Sequence, residues 1–452
     1  RKEIYKMSKI KNIIIILVAI LVMAIIALVI VLGIGNRNEE NIPMGNEVET
    51  SKQEQTQGLT PVESREDYYI VKDSIGKYYS YYSILFNAGN YYATEDTQII
   101  SQAEKDNAQI LYNMLDAEYI TAKGITVDNL KSNLTEIGQV TAYINNMYVI
   151  PETNNIDVYV VNGKLKQNVE DSGTEFELIV KLDKTNKTFS VIPQEYVTEK
   201  YGNIVEGQNL DINAKQNIAQ NTNNTYSERE ITDETYLKDL FAEIRNELLY
   251  DKEEAYNHLY EEYRTQKFAT LDEFTSFANS KQEEYKAMKL AQYQQAEEDG
   301  YTQYVLVDQN GKYYIVNETA VMKYTTMLDT YTVDLPQFIE RYNTSNNAER
   351  AGLNLQKVVD AMNNNDYEYV YNKLDETFKA NNFPTLESFE QYIQNNLYTS
   401  ANVEFSNYQN SGELHIFDAT FTDKSNENSN AITKTFIVKL LEGTDFVMSF
   451  NV

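Results

Sequence analysis

Apolar residues recur along this chain with a readable period, and the period changes from segment to segment. From Ile13 to Ile34 nearly every residue is apolar and none is charged. That run is about 22 residues, or roughly 33 Å as a helix, enough for a bilayer core of about 30 Å. Lys9 and Lys11 flank it on one side, and Asn36, Arg37, Glu39 and Glu40 on the other. The basic flank is expected to stay in the cytoplasm, with the C-terminal bulk outside. The run is longer than a typical signal-peptide core, and Gly33-Ile34-Gly35-Asn36 is not an obvious small-x-small cleavage site. The expectation is a cytoplasmic tail over 1–12, a single transmembrane helix over 13–35 and a cell-membrane location. Residues 36–65 are polar, carry Pro43 and Pro61 and have no period, which predicts a flexible stalk.

Beyond the stalk the period alternates between helix and strand. Tyr68 to Phe86 and Glu104 to Ala122 have helical spacing, and a third helix is predicted to start near Thr126. Val140–Ile150, Ile156–Leu165, Glu175–Leu182 and Thr188–Ile192 then alternate as strands, punctuated by Asn154-Asn155, Ser172-Gly173 and Lys184-Thr185-Asn186. A polar, Asn-rich stretch over 202–229 reads as a linker. The pattern then restarts: helices from Thr232 through Tyr263 and from Thr270 to Ala296, and a hairpin across Asp308-Gln309-Asn310-Gly311. After a junction over 336–349 it restarts again, with helices and then strands near Asn402–Tyr408, Glu413–Thr422, Ala431–Leu441 and Asp445–Val452. Helices followed by an antiparallel meander predict α+β domains at 66–201, 230–335 and 350–452.

A short motif marks each restart. It reads Tyr112-Asn113-Met114-Leu115, Tyr256-Asn257-His258-Leu259 and Tyr371-Asn372-Lys373-Leu374. A shift of 115 residues overlays Tyr256–Phe274 on Tyr371–Phe389 with eight identities in nineteen positions. Tyr256, Leu259 and Tyr263 form one helical stripe. Thr126, Thr270 and Thr385 are placed as N-caps of a following helix, with Asp128, Asp272 and Glu387 in its first turn. Thr270 with Glu273 matches a capping box. The motif therefore reads as core packing and capping.

Charge and composition narrow the functions. The net charge is −29, and the first 35 residues hold five basic groups against Glu3 alone, so the remainder is still more acidic. Such a surface repels nucleic acid, so none is expected as a partner. The chain has no Cys, only His258 and His415 for histidines, and 37 tyrosines. Thiolate chemistry is excluded, and no phosphate loop, nucleophile elbow or zinc-protease helix occurs. Neither an enzymatic activity nor a cofactor or metal is expected. His258 shares its motif position with Met114 and Lys373, which reads as a solvent-facing helix site. The residues held as pocket or contact candidates are Asn113, Asn257, Asn372 and the tyrosines Tyr78, Tyr79, Tyr81 and Tyr82.

Helices carrying Tyr-Asn-x-Leu and Phe-x-Thr-Leu-x-x-Phe, followed by three or four antiparallel strands, resemble the nuclear-transport-factor-two-like (cystatin-like) α+β cone. The resemblance covers all three units. A short tail, one membrane helix, a stalk and tandem cones also resemble the TcpC-type conjugation proteins of Gram-positive bacteria. That resemblance implies an extracytoplasmic scaffold of a bacterial cell-envelope assembly, with other envelope proteins or further copies of itself as partners. The alternative is a module that captures a small ligand, peptide or cell-wall fragment in a cone pocket.

Overall fold

The computed structural model describes residues 59–150, 155–201, 224–424, 426 and 429–452. Among these, three antiparallel sheets each follow a group of helices, and Gln57–Val452 forms one compact unit. The first module holds β1 (Thr60–Pro61), α1 (Arg65–Tyr91), α2 (Thr97–Met114), α3 (Ala117–Lys123) and α4 (Leu130–Asn133). It continues with β2 (Thr141–Ile150), β3 (Ile156–Lys166), β4 (Thr174–Asp183), β5 (Thr188–Ile192) and α5 (Gln194–Tyr201). The second has α6 (Asp233–Tyr250), α7 (Lys252–Asn257), α8 (Glu261–Lys267), α9 (Leu271–Ser280) and α10 (Gln282–Ala287). Its strands are β6 (Leu290–Glu298), β7 (Tyr301–Asp308), β8 (Tyr313–Ala320) and β9 (Lys323–Met327). The third has α11 (Pro336–Thr344), α12 (Asn347–Asn363), α13 (Tyr367–Asn372), α14 (Glu376–Asn382) and α15 (Leu386–Asn396). Its strands are β10 (Ala401–Ser411), β11 (Leu414–Asp423), β12 (Ile432–Leu440) and β13 (Phe446–Phe450). Every sheet is a meander in sequence order.

Each module repeats one joint. The motif leucine makes a parallel bridge to the last strand of its own sheet: Leu115 to Val191, Leu259 to Thr326, Leu374 to Met448. The next N–H then donates to that strand, from Asp116 to Val191, Tyr260 to Thr326 and Asp375 to Met448. In the second and third modules the motif tyrosine donates to a carbonyl twelve residues on, Tyr256 to Phe268 at 3.5 Å and Tyr371 to Phe383 at 3.0 Å. Thr270 and Thr385 cap α9 and α15 as their spacing predicts. Glu273, however, accepts from the N–H of Ala269 rather than of Thr270, so the reciprocal capping box is absent there and present at Thr385–Ser388.

The first long strand of each sheet also slips register against its neighbour, at Ile144/Asn146, Leu290/Gln292 and Ser406/Gln409. An extra residue bends the strand and curves the sheet over its helices. At the first slip the backbone of Tyr143 closes on Gly163, where a Cβ would meet its carbonyl oxygen at 1.9 Å. Only glycine fits that approach.

Three sequence expectations change. The expected fold was a transmembrane helix followed by three tandem cones. Among the described residues no helix is long and apolar enough to cross a membrane, and 13–35 lies outside them. The longest helix, α1, has the length but carries Arg65, Glu66, Asp67, Lys72, Asp73 and Lys77, and packs its other faces into protein. The repeated helix-and-sheet units are present. Second, Leu290–Ala296 is strand rather than helix, because pairing with β7 overrides its helix-compatible composition. Third, Thr126 starts no long helix; a turn and the four-residue α4 follow it.

The modules are not separate bodies. One apolar core runs from Val62 to Val333 through the first two sheets, and a second, from Ala351 to Phe450, also takes in Tyr331. The first junction is clamped by Arg65, which donates to Asp233 and to Tyr304 Oη (3.0 Å) and lies 4.0 Å over the Tyr236 ring. Tyr69 donates to Asp239 at 2.6 Å, and the Val321 N–H to the Val62 carbonyl at 3.0 Å. At the second junction Lys267 pairs with Asp329 and, at 2.8 Å, with Asp366. Tyr263 donates to Asp329 and Tyr331 to Asp366.

Candidate functional site: a polar cleft between the first two modules

The carboxylates of α6 create the site. Tyr236, Leu237, Leu240, Phe241, Ile244 and Leu248 bury the apolar face of this helix. Asp239, Glu243 and Glu247 follow at intervals of four, so they form one stripe beside it. That stripe faces the first module across a cavity of about 290 Å³. Lys72 on α1 and Lys164 and Lys166 on β3 line the opposite wall, so the two walls carry opposite charge.

Most of these charges are already matched. Lys164 reaches Asp251 at 2.6 Å, with Lys166 at 3.7 Å from the same carboxylate. Asp239 accepts from Tyr69. Glu247 accepts from Tyr324 Oη at 3.0 Å and lies 3.0 Å from His258 Nδ1. His258 Nε2 lies 3.7 Å from Glu254, and its ring centroid is 4.8 Å from that of Tyr324. Both ring nitrogens therefore face carboxylates. Burial pulls the His258 pKa down, but the hydrogen bond and charge of Glu247, with Glu254 and Glu243 behind, outweigh it and raise it. This favours imidazolium and leaves no ring nitrogen free to act as a base.

Two groups stand apart. Glu243 makes no hydrogen bond or ion pair among the described residues, and Lys72 makes no ion pair among them, its ammonium lying 5.8 Å from the centroids of the Tyr68 and Tyr69 rings. Burial pushes the Glu243 carboxyl up to about 7, helped by Glu247 and opposed by Lys72, Lys166 and His258. The cleft thus presents one unmatched acid and one unmatched base to whatever enters.

A second cavity, about 520 Å³, lies between the second and third modules. Its lysines are matched, Lys267 by two aspartates and Lys312 by Glu284. Glu368 and Glu390 also line it, and neither makes a hydrogen bond or ion pair among the described residues.

The candidates from sequence fall elsewhere. Tyr78, Tyr79 and Tyr82 are buried in the first core, Tyr79 against Phe176 at 5.5 Å, with Tyr81 half-buried at its margin. Asn113 is half-buried and accepts from Gln109 on its own helix. Asn257 and Asn372 are exposed, Asn372 at the rim of the second cavity. His258 does not face bulk solvent; its motif position turns toward the last strand, where Met114 is fully buried and Lys373 pairs with Asp445. His415 is buried beside Tyr408. Glu243 and Lys72 escaped the sequence reading, although the Asp239, Glu243, Glu247 stripe was visible as a run of acids at helical spacing.

The geometry defines a class: an α+β tandem-repeat protein with a ligand-sized polar cleft between two modules. No family model matches the chain, and no curated protein matches it.

Proposed function

We propose that this chain is a non-enzymatic binding module, and that the cleft between its first two modules recognises a small zwitterion such as a free amino acid or short peptide. The unmatched Glu243 and Lys72 in an otherwise paired cleft carry this reading. A protonated amine answers Glu243 and a carboxylate answers Lys72. The cleft is small enough to strip most water from both contacts, which strengthens them. The capture site is the space between modules, since the tyrosines and phenylalanines of each module fill its own sheet. Short peptides with free termini are expected to raise the Tm of the full chain, and peptides acetylated at one end and amidated at the other are not. Glu243→Gln should remove the preference for a free amine and Lys72→Met the preference for a free carboxylate. Equal shifts with free and blocked peptides, or none with either, would sink the reading.

A second reading is favoured by the clamped junctions. Three modules held by Arg65 and by Lys267 form a stiff array, suited to spacing partners in an extracytoplasmic envelope assembly of the conjugation type. A photo-cross-linker at the exposed Tyr408 should then trap one defined partner, or a second copy, in cells. Absence of any discrete adduct would count against it.

A further inference from the structure

A second charged cluster lies inside the first module, away from the cleft. Lys181 sits on β4, cross-strand from Ser190 on β5, and its side chain is 0% exposed. Its Nζ is 3.1 Å from Asp116 Oδ1 and 3.8 Å from Glu118 Oε2. Asp116 is 1% exposed at the start of α3. It accepts the Glu118 N–H at 2.9 Å and the Ser190 hydroxyl at 2.8 Å. The flanking Leu115, Tyr119, Leu182, Phe189 and Val191 are all buried.

Capping does not explain the lysine. Asp375 holds the same place in the third module, after the motif leucine, and caps α14 through the N–H groups of Thr377 and Phe378. The residue matching Lys181 there is Lys439, whose side chain is 46% exposed and pairs with Glu413. In the second module Tyr260 and Asn317 occupy the two positions. Of the three equivalent joints among the described residues, the first alone brings an amine and two carboxylates together in a dry place.

We propose that Lys181 and Asp116 join through an intramolecular isopeptide bond that the fold itself forms, with Glu118 carrying protons. Glu118 takes one proton from the Lys181 ammonium. The freed nitrogen lone pair attacks Cγ of Asp116. The carried proton, and then a second one from nitrogen, pass to one carboxylate oxygen, whose bond to Cγ breaks as water leaves. A C–N bond replaces a C–O bond, nothing is oxidised or reduced, and Glu118 ends as the carboxylate it began as. Holding the reacting groups at contact distance on a strand and a helix start supplies the proximity that drives such a step. Exclusion of water protects the amide afterwards. The link would close a loop spanning 65 positions and fix the repeated helix-to-strand joint covalently.

Mass spectrometry of the full chain tests this without any variant. The folded protein is expected to weigh one water less than its sequence, and a digest to yield a branched peptide joining Asp116 to Lys181. Asp116→Ala and Glu118→Gln should restore the sequence mass. A folded wild-type chain at its sequence mass overturns the proposal. So does a missing water that maps elsewhere, for example to a succinimide at Asp299-Gly300, which has the same mass. A Glu118→Gln chain that still loses water overturns the role given to Glu118.

Discussion

Glu243 and Tyr78 are polar groups held where water is scarce, and replacing either relieves a cost of burial. Glu243 keeps its proton more tightly when folded, since its carboxyl rises from 4.5 to about 7. The folded state therefore binds more protons than the unfolded one between those values, and stability falls as pH rises through that window. Glu243→Gln should flatten this part of the pH–stability curve and leave the variant more stable than wild type at neutral pH, by ~2 kcal/mol. His258 adds a slope of the same sign: its raised pKa contributes stability that is complete below its unfolded value and is lost as pH rises through the folded one. Urea titrations at several pH values read both. The Tyr78 hydroxyl is buried with no hydrogen-bond partner. Removing a buried polar atom that makes no bond relieves its desolvation cost, so Tyr78→Phe should stabilise the chain by about 1 kcal/mol in chemical denaturation. The helical spacing of Tyr78, Tyr79 and Tyr82 was legible in the sequence. Which of them the sheet would cover was not, because tyrosine serves core and rim alike.

At the level of elements, the thrice-repeated motif is a joint between a helix and the far edge of a sheet. Its leucine and the following N–H both engage the last strand, more than 60 residues away in each module. The threonines differ in use. Thr385 caps α15 in a reciprocal box, whereas Thr126 accepts only from the Asn129 N–H in an exposed turn. Thr385→Ala should cost ~1 kcal/mol, and Thr126→Ala less than about 0.5 kcal/mol, by thermal or urea unfolding. Strands bounded by turn residues were legible, since alternation and Asn-Gly chemistry are local. The strand at Leu290–Glu298 was not. Its burial pattern is mostly exposed, so no apolar alternation announced it, and only its ladder with β7 makes it a strand.

Across the whole molecule, the junctions decide how the modules behave. The first two share a core, so they should unfold together. The third has its own core and is held to the second through Lys267, between Asp329 (side chain 2% exposed) and Asp366. Burial lowers the Lys267 pKa, but the two aspartates outweigh it and raise it, so the ammonium is what the junction needs. Lys267→Met strands two carboxylates in a closed place and should cost about 3 kcal/mol. Calorimetry should show the third module melting ahead of the other two in that variant. Adding Asp329→Asn and Asp366→Asn should recover much of the loss, since an uncharged set leaves no carboxylate uncompensated.

The sequence by itself determined the α+β class, the three restarts and most of the strands, because period, capping and turn chemistry act over a few residues. It also displayed the acidic stripe on α6 without saying what the stripe would face. Only the tertiary structure decided that Glu243 and Lys72 would meet across a cleft and that Lys181 would close on Asp116. Those pairings join residues from distant segments, and no local signal encodes which buried charge finds which partner.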